Sequence, residues 1–159
     1  MRLFQQMTSY SEDEAALPGI MLRHHFRCVP RVIAYCNELV YRGQLVPLRP
    51  PVDAPAVPPM AWAHLRGDGQ RAGLSWTNTP EAEAIARWIA GRRVAIEAEH
   101  GAGIEELVAV VTPYRAQQQV LRMALSRHLG SYAEGMTVGT VHTLQGAQRR
   151  VVVFSPAIT

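Results

Sequence analysis

This 159-residue chain contains no lysine: all sixteen of its Lys+Arg positions are arginine. Part of that bias is expected from genomic codon usage, but its chemical consequence is definite. No side chain here can form a Schiff base, and none can supply the phosphate-gripping lysine of a G-x-x-x-x-G-K-[ST] loop. Cysteine is also scarce, with only Cys28 and Cys36. Two thiols alone make no zinc site. Cys36 falls on the apolar side of an expected helix and reads as a core thiol, while the role of Cys28, in a loop, stays open. No apolar run approaches the roughly 20 residues that span a bilayer, and the N-terminus carries no signal-peptide pattern. A cytoplasmic protein without membrane association is the expectation.

What is present is enough for a folded domain. The apolar fraction is 48% and the net charge only +3, which gives nucleic-acid binding a modest lift by itself. Residues 1–18, acidic around Glu12, Asp13 and Glu14, read as a loose lead-in to a domain over 19–159. Residues 19–27 suggest a short strand ending in a polar cluster. Pro30 suits a first helical turn, followed by an apolar face of Val32, Ile33, Cys36, Leu39 and Val40. Residues 46–59 hold six of the eleven prolines and read as an extended surface connector.

Residues 60–66 are expected to form a strand, and Gly67, Gly69 and Gly73 a loop. A long helix should follow, capped by Asn78 or Thr79, with Pro80 in its first turn. Glu81 and Glu83 complement its dipole, and Ala82, Ile85, Ala86 and Ile89 point inward. Gly91 should weaken it and Gly101 and Gly103 end it. Leu107–Val111 is a continuous apolar run, as in a strand covered on both faces. The next helix should bury Val120, Leu121, Ala124, Leu125 and Leu129 and stop at Gly130. Two further strands are expected near 136–141 and 150–155. The linker between them is short for a parallel crossover, so it holds either one tight helical turn, the expected solution, or a hairpin.

Strands alternating with helices predict an α/β fold with a mostly parallel sheet and flanking helices. Three polar clusters then follow strands directly: His24-His25-Phe26-Arg27, Thr112 to Gln117, and His142 to Gln148. Open α/β sheets bind ligands outside the carboxyl ends of their strands. Arginines, hydroxyls, amides and a glycine on one such edge suit a phosphate-rich or nucleic-acid ligand. Each cluster taken alone also has a plain structural reading; Thr112 before Pro113, for instance, is good capping chemistry.

Three stretches resemble motifs of superfamily 1 helicases of the Upf-like branch, in the right order: LRHHFRCVPRVIAYCNELVYRGQL (22–45), VAVVTPYRAQQQVL (108–121), and VGTVHTLQGAQRRVVVFS (138–155), which is similar to helicase motif V. The resemblance implies the second, C-terminal RecA-like lobe of an ATP-driven motor that lacks its own P-loop. The expected ligands are ATP with Mg2+, bound mainly by a first RecA-like lobe of the same parent protein, and single-stranded DNA or RNA. It implies that Arg27 is an arginine finger and that Phe26, Gln145, Gly146 and Gln148 face the nucleotide. Thr112, Tyr114, Arg115, Thr140, His142 and Thr143 would face the nucleic acid. Phe26 stands where the family commonly has Tyr, and Gln148 where it has a ribose-binding Glu; an amide keeps the hydrogen bond without the charge. The chain ends at Thr159, ahead of the family's motif VI, so a partial lobe is expected. The alternative from another class is a non-catalytic nucleic-acid-binding or regulatory module derived from such a lobe.

Overall fold

The apolar run before Thr112 becomes the central strand of the largest sheet. In the computed structural model it spans Val108–Val111, and all four residues are buried. The structure describes residues 8–9, 18–19, 22–53, 55–144 and 148–158. The chain divides into two compact units, Met1–Ala54 and Pro55–Thr159.

In the first unit, β1 (Thr8–Ser9) pairs antiparallel with β2 (Pro18–Gly19). Strand β3 (His24–His25) runs parallel to β4 (Val46–Pro47). Pro47 fits there because the ladder uses its neighbours: the Val46 N–H donates to the Arg23 carbonyl (2.7 Å) and the Leu48 N–H to that of His25 (2.9 Å). The proline-rich connector therefore begins with one regular pairing. Between the two strands lies α1 (Pro30–Leu39), with Pro30 in its first turn as expected. Its apolar face is not the buried face the periodicity predicts. Only Ile33 is buried; Cys36 is exposed, as are Leu39 and Val40. Amphipathic spacing specifies a face, but burial needs a partner surface, and Leu45 is the one other buried apolar residue among the described residues of this unit.

The second unit opens with a segment expected to be a strand. Residues 60–66 have no strand partner among the described residues, and Trp62 is 88% exposed. The strands form later, as a hairpin of β5 (Gln70–Ala72) and β6 (Ser75–Thr77). Gly73, at φ +61°, makes the turn between them possible. Helix α2 (Thr79–His100) follows, capped by the Asn78 side chain, which accepts the Glu81 N–H. It continues through Gly91 and ends at Gly101, whose φ of +67° is the left-handed cap conformation. Ala82, Ile85, Ala86 and Ile89 are buried, as their spacing requires.

A short helix, α3 (Ile104–Leu107), takes up Leu107 and leads into β7 (Val108–Val111). Helix α4 (Arg115–Leu129) buries Leu121, Ala124, Leu125 and Leu129 and stops at Gly130. Strands β8 (Thr137–Gly139) and β9 (Val151–Phe154) both lie parallel to β7, on opposite sides of it. The connection from β8 to β9 thus passes across β7 and is no hairpin. It contains one helical turn, a 3-10 helix over Val141–Leu144. Val108, Val110 and Val138 pack with the inward faces of α2 and α4 to form the core. The fold is α/β, with parallel strands and flanking helices. Among the described residues no helix is long and apolar enough to cross a membrane.

Candidate nucleic-acid interface

Three strands that run parallel deliver their carboxyl ends to one edge. Thr112 follows β7, Thr140 follows β8 and Ser155 follows β9. The Thr112 N–H donates to the Gly139 carbonyl (3.0 Å), and the Ser155 N–H to that of Val111 (2.8 Å), so all three turns are joined by backbone. Two of the three predicted polar clusters therefore meet.

The turn after β7 is built by Thr112 and Pro113. Thr112 is fully buried, and its hydroxyl accepts the Tyr114 N–H (3.3 Å). Tyr114 caps α4 in an extended conformation without a side-chain bond. One orphan N–H of that helix start, from Ala116, is taken up instead by the Ser75 hydroxyl of β6 (3.2 Å). Tyr114 is half-buried and Arg115 exposed. The turn after β8 depends on Gly139. A Cβ there would lie 2.5 Å from the Thr143 hydroxyl oxygen and 2.7 Å from its Cβ, so only glycine allows Thr143 to fold back. The Thr143 N–H bonds the Thr140 carbonyl (2.8 Å). Thr140 is half-buried; His142 and Thr143 are exposed. Gln145 and Gly146 lie outside the described residues. Gln148 is exposed and its carbonyl accepts from Arg149 (2.9 Å). Arg149 also reaches the Thr137 hydroxyl (2.9 Å).

Behind these turns lies a buried polar network that sequence reasoning did not assemble. The Gln117 amide accepts the Asn78 N–H (2.7 Å) and donates to the Asn78 carbonyl (3.1 Å) and the Ser155 hydroxyl (3.1 Å). Ser155 in turn donates to the Glu81 carboxylate, which also takes the Ala157 N–H (3.4 Å). Glu81 is 3% exposed, so its carboxylate anchors the end of β9 as well as facing the α2 dipole. A glutamate in a first helical turn gives no sequence signal of this.

The third cluster follows β3, in the other unit, whose strand partner is β4 and not the three-stranded sheet. His25 accepts the Cys28 N–H through Nε2 (2.9 Å), and His24 meets Phe26 edge to face with centroids 6.4 Å apart. Phe26 is 68% exposed. The Arg27 carbonyl accepts from Arg49 (2.7 Å), while its guanidinium has no partner among the described residues. Among the described residues no three His, Cys, Asp or Glu side chains converge to hold a metal ion. One carboxylate is clearly perturbed: the His128 hydrogen bond, assisted by Arg127, holds Glu83 below the usual carboxylate range.

No curated protein matches this chain. The family model AAA_12, described as an AAA domain, matches residues 1–157. The chain therefore belongs to this AAA domain family, a domain found in Upf-like superfamily 1 helicases.

Proposed function

We propose that the chain is the C-terminal motor lobe of an ATP-dependent DNA or RNA helicase or translocase, working with a first RecA-like lobe. The observation that carries this reading is the bond from Thr112 to Gly139, which sets two helicase-like turns side by side at the carboxyl edge of a parallel sheet. Arg115, His142 and Thr143 are exposed on those turns and suit the sugar-phosphate backbone of a single strand. Thr112, being buried, contributes by fixing the turn that carries Tyr114 and Arg115.

ATP is the proposed substrate. An exposed ring at Phe26 and an uncommitted guanidinium at Arg27 fit a base and a phosphate. Mg2+ is expected on the first lobe; no ligand set for it converges among the described residues here, and no step is assigned to it in this chain. Arg27 would stabilise charge that develops in the transition state, so its loss should lower kcat more than ATP affinity. The test uses the two-lobed parent protein, with ATP hydrolysis measured against added single-stranded DNA and RNA. Turnover that neither strand stimulates refutes the motor reading. In the same assay Arg27→Ala should lower kcat by about 10³-fold, the low end for arginine fingers, with melting temperature nearly unchanged. Near-normal kcat removes Arg27 from the catalytic role.

A further inference from the structure

Helix α2 presents a stripe of residues one turn apart, Thr79, Glu83 and Arg87, to one side of the second unit. The irregular segment before β5 lies along this stripe, and the two border an open cleft of about 440 Å³ lined by Arg66, Thr79, Pro80, Glu83 and Arg87, among others. The segment is pinned at its end. The Asn78 side-chain amide donates to the Gly67 carbonyl (3.1 Å), and a Cβ on Gly67 would come within 2.8 Å of the Pro80 Cβ. Arg66 is therefore held beside the cleft by a backbone approach that only glycine permits.

Among the described residues the arginine charge in this cleft has no free carboxylate opposite it: Glu83, the one carboxylate in its described lining, is already engaged by Arg127 and by His128 (2.7 Å), both on α4. Arg66 and Arg87 have no hydrogen-bond or ion-pair partner among the described residues, although Glu83 stands one turn before Arg87. Two free guanidiniums and a hydroxyl in one concave site suit an oxyanion with several acceptor oxygens. Aromatic faces flank it in sequence. Trp88 follows Arg87 and is 37% exposed, and Trp62, 88% exposed, is four residues before Arg66. Four residues of chain reach at most about 14 Å. Exposed aromatic rings beside arginines are the pattern that grips single strands, the rings stacking on bases and the arginines holding phosphates.

We propose that this cleft is a second contact site for a single-stranded nucleic acid, with Arg66 and Arg87 on its phosphodiester groups and Trp62 as a stacking platform. It deepens the motor reading above and rests on it, but it is separate from the turns after β7 and β8.

The test is a fluorescence anisotropy titration of labelled oligo-dT and oligo-U with the chain, over a range of salt concentrations. It compares wild type, Arg66→Ala/Arg87→Ala, Arg115→Ala/His142→Ala, and Arg31→Ala/Arg71→Ala as a control matched in charge. Losing two phosphate contacts should reduce the slope of log affinity against log salt by about 1.4. Affinity at low salt should fall at least about five-fold relative to the matched control. Trp62→Phe should abolish most of the tryptophan quenching on binding. Equal slopes and affinities for the cleft variant and the matched control overturn the proposal. If loss is confined to Arg115→Ala/His142→Ala, the motor reading stands and the cleft fails. If wild type ignores both oligonucleotides but binds poly-glutamate through Arg66 and Arg87, the cleft is a site for acidic peptides and the phosphodiester assignment is wrong.

Discussion

Replacing Gln117 with leucine isolates the polar part of the buried network, because the two side chains are similar in volume and no large cavity opens. The amide makes three hydrogen bonds, two to the Asn78 backbone and one to Ser155. Their loss is unequal. The Asn78 carbonyl keeps the Ala82 N–H (3.1 Å), and the Ser155 hydroxyl keeps Glu81. The Asn78 N–H keeps no partner and stays in a residue that is 1% exposed. An orphaned buried donor costs about 1–3 kcal/mol, and loosening the other two bonds adds about another 1 kcal/mol. The total is about 2–4 kcal/mol, which in a chain of this size lowers the melting temperature by roughly 5–12 °C. Circular dichroism melts and urea titration measure it, with a reduced midpoint at unchanged m-value. Gln119→Leu is the control: Gln119 is exposed, so its effect should stay within about 0.5 kcal/mol. A Gln117→Leu protein that melts with wild type would show that the network contributes no net stability and would refute this accounting.

Gly139→Ala should destabilise by about 1–3 kcal/mol through overpacking, since its Cβ meets Thr143 at 2.5–2.8 Å. Amide exchange should quicken at Thr143, whose N–H is tied to Thr140; unchanged exchange would mean that the turn yields freely. Glu83 has a lowered pKa from its His128 and Arg127 contacts, so its stabilising contribution is present above the ordinary carboxylate pKa and is lost as pH falls through the lowered folded value. Melting temperatures of wild type and Glu83→Gln should therefore differ most near neutrality and converge in strong acid; a gap that widens in acid contradicts the assignment.

The helices and central strand could be read from sequence because their signals are local. Pro80 after a capping asparagine, the inward stripe of α2 and the run Val108–Val111 each specify an element without reference to anything distant. The β5–β6 hairpin was hidden because its strands, Gln-Arg-Ala and Ser-Trp-Thr, lack apolar alternation; only Gly73 hinted at a turn. Residues 60–66 failed in the opposite way, since an apolar-rich run supplies no strand partner. The same holds for Cys36, whose helix has the right periodicity and little to bury it. Of the candidate site, Thr112, Tyr114 and Arg115 are brought next to Thr140, His142 and Thr143 by the parallel register. The order β8-β7-β9 that achieves this is set by tertiary pairing and has no local signature.

The buried network ties the starts of α2 and α4 to the end of β9 at the carboxyl edge. Loops that follow parallel strands have no ladder of their own, so each needs an anchor if exposed groups are to hold their positions. Here one amide and one carboxylate supply anchors for several elements at once. Gln117, in the first turn of α4, fixes the backbone at the start of α2; Glu81, in the first turn of α2, fixes Ser155 and Ala157 beyond β9. Ala157 adopts φ +60°, a strained conformation for a residue with a side chain, and its carbonyl lies where a Cβ on Gly69 would come within 2.4 Å. The tail after β9 is thus held from both sides. Thr112 and Ser155 each bond an adjacent strand end through the backbone, so a displacement of one turn is resisted by the other two. Ligand contacts made by Arg115, His142 or Thr143 would therefore act on a pre-set edge, and little of their binding energy would be spent on ordering it.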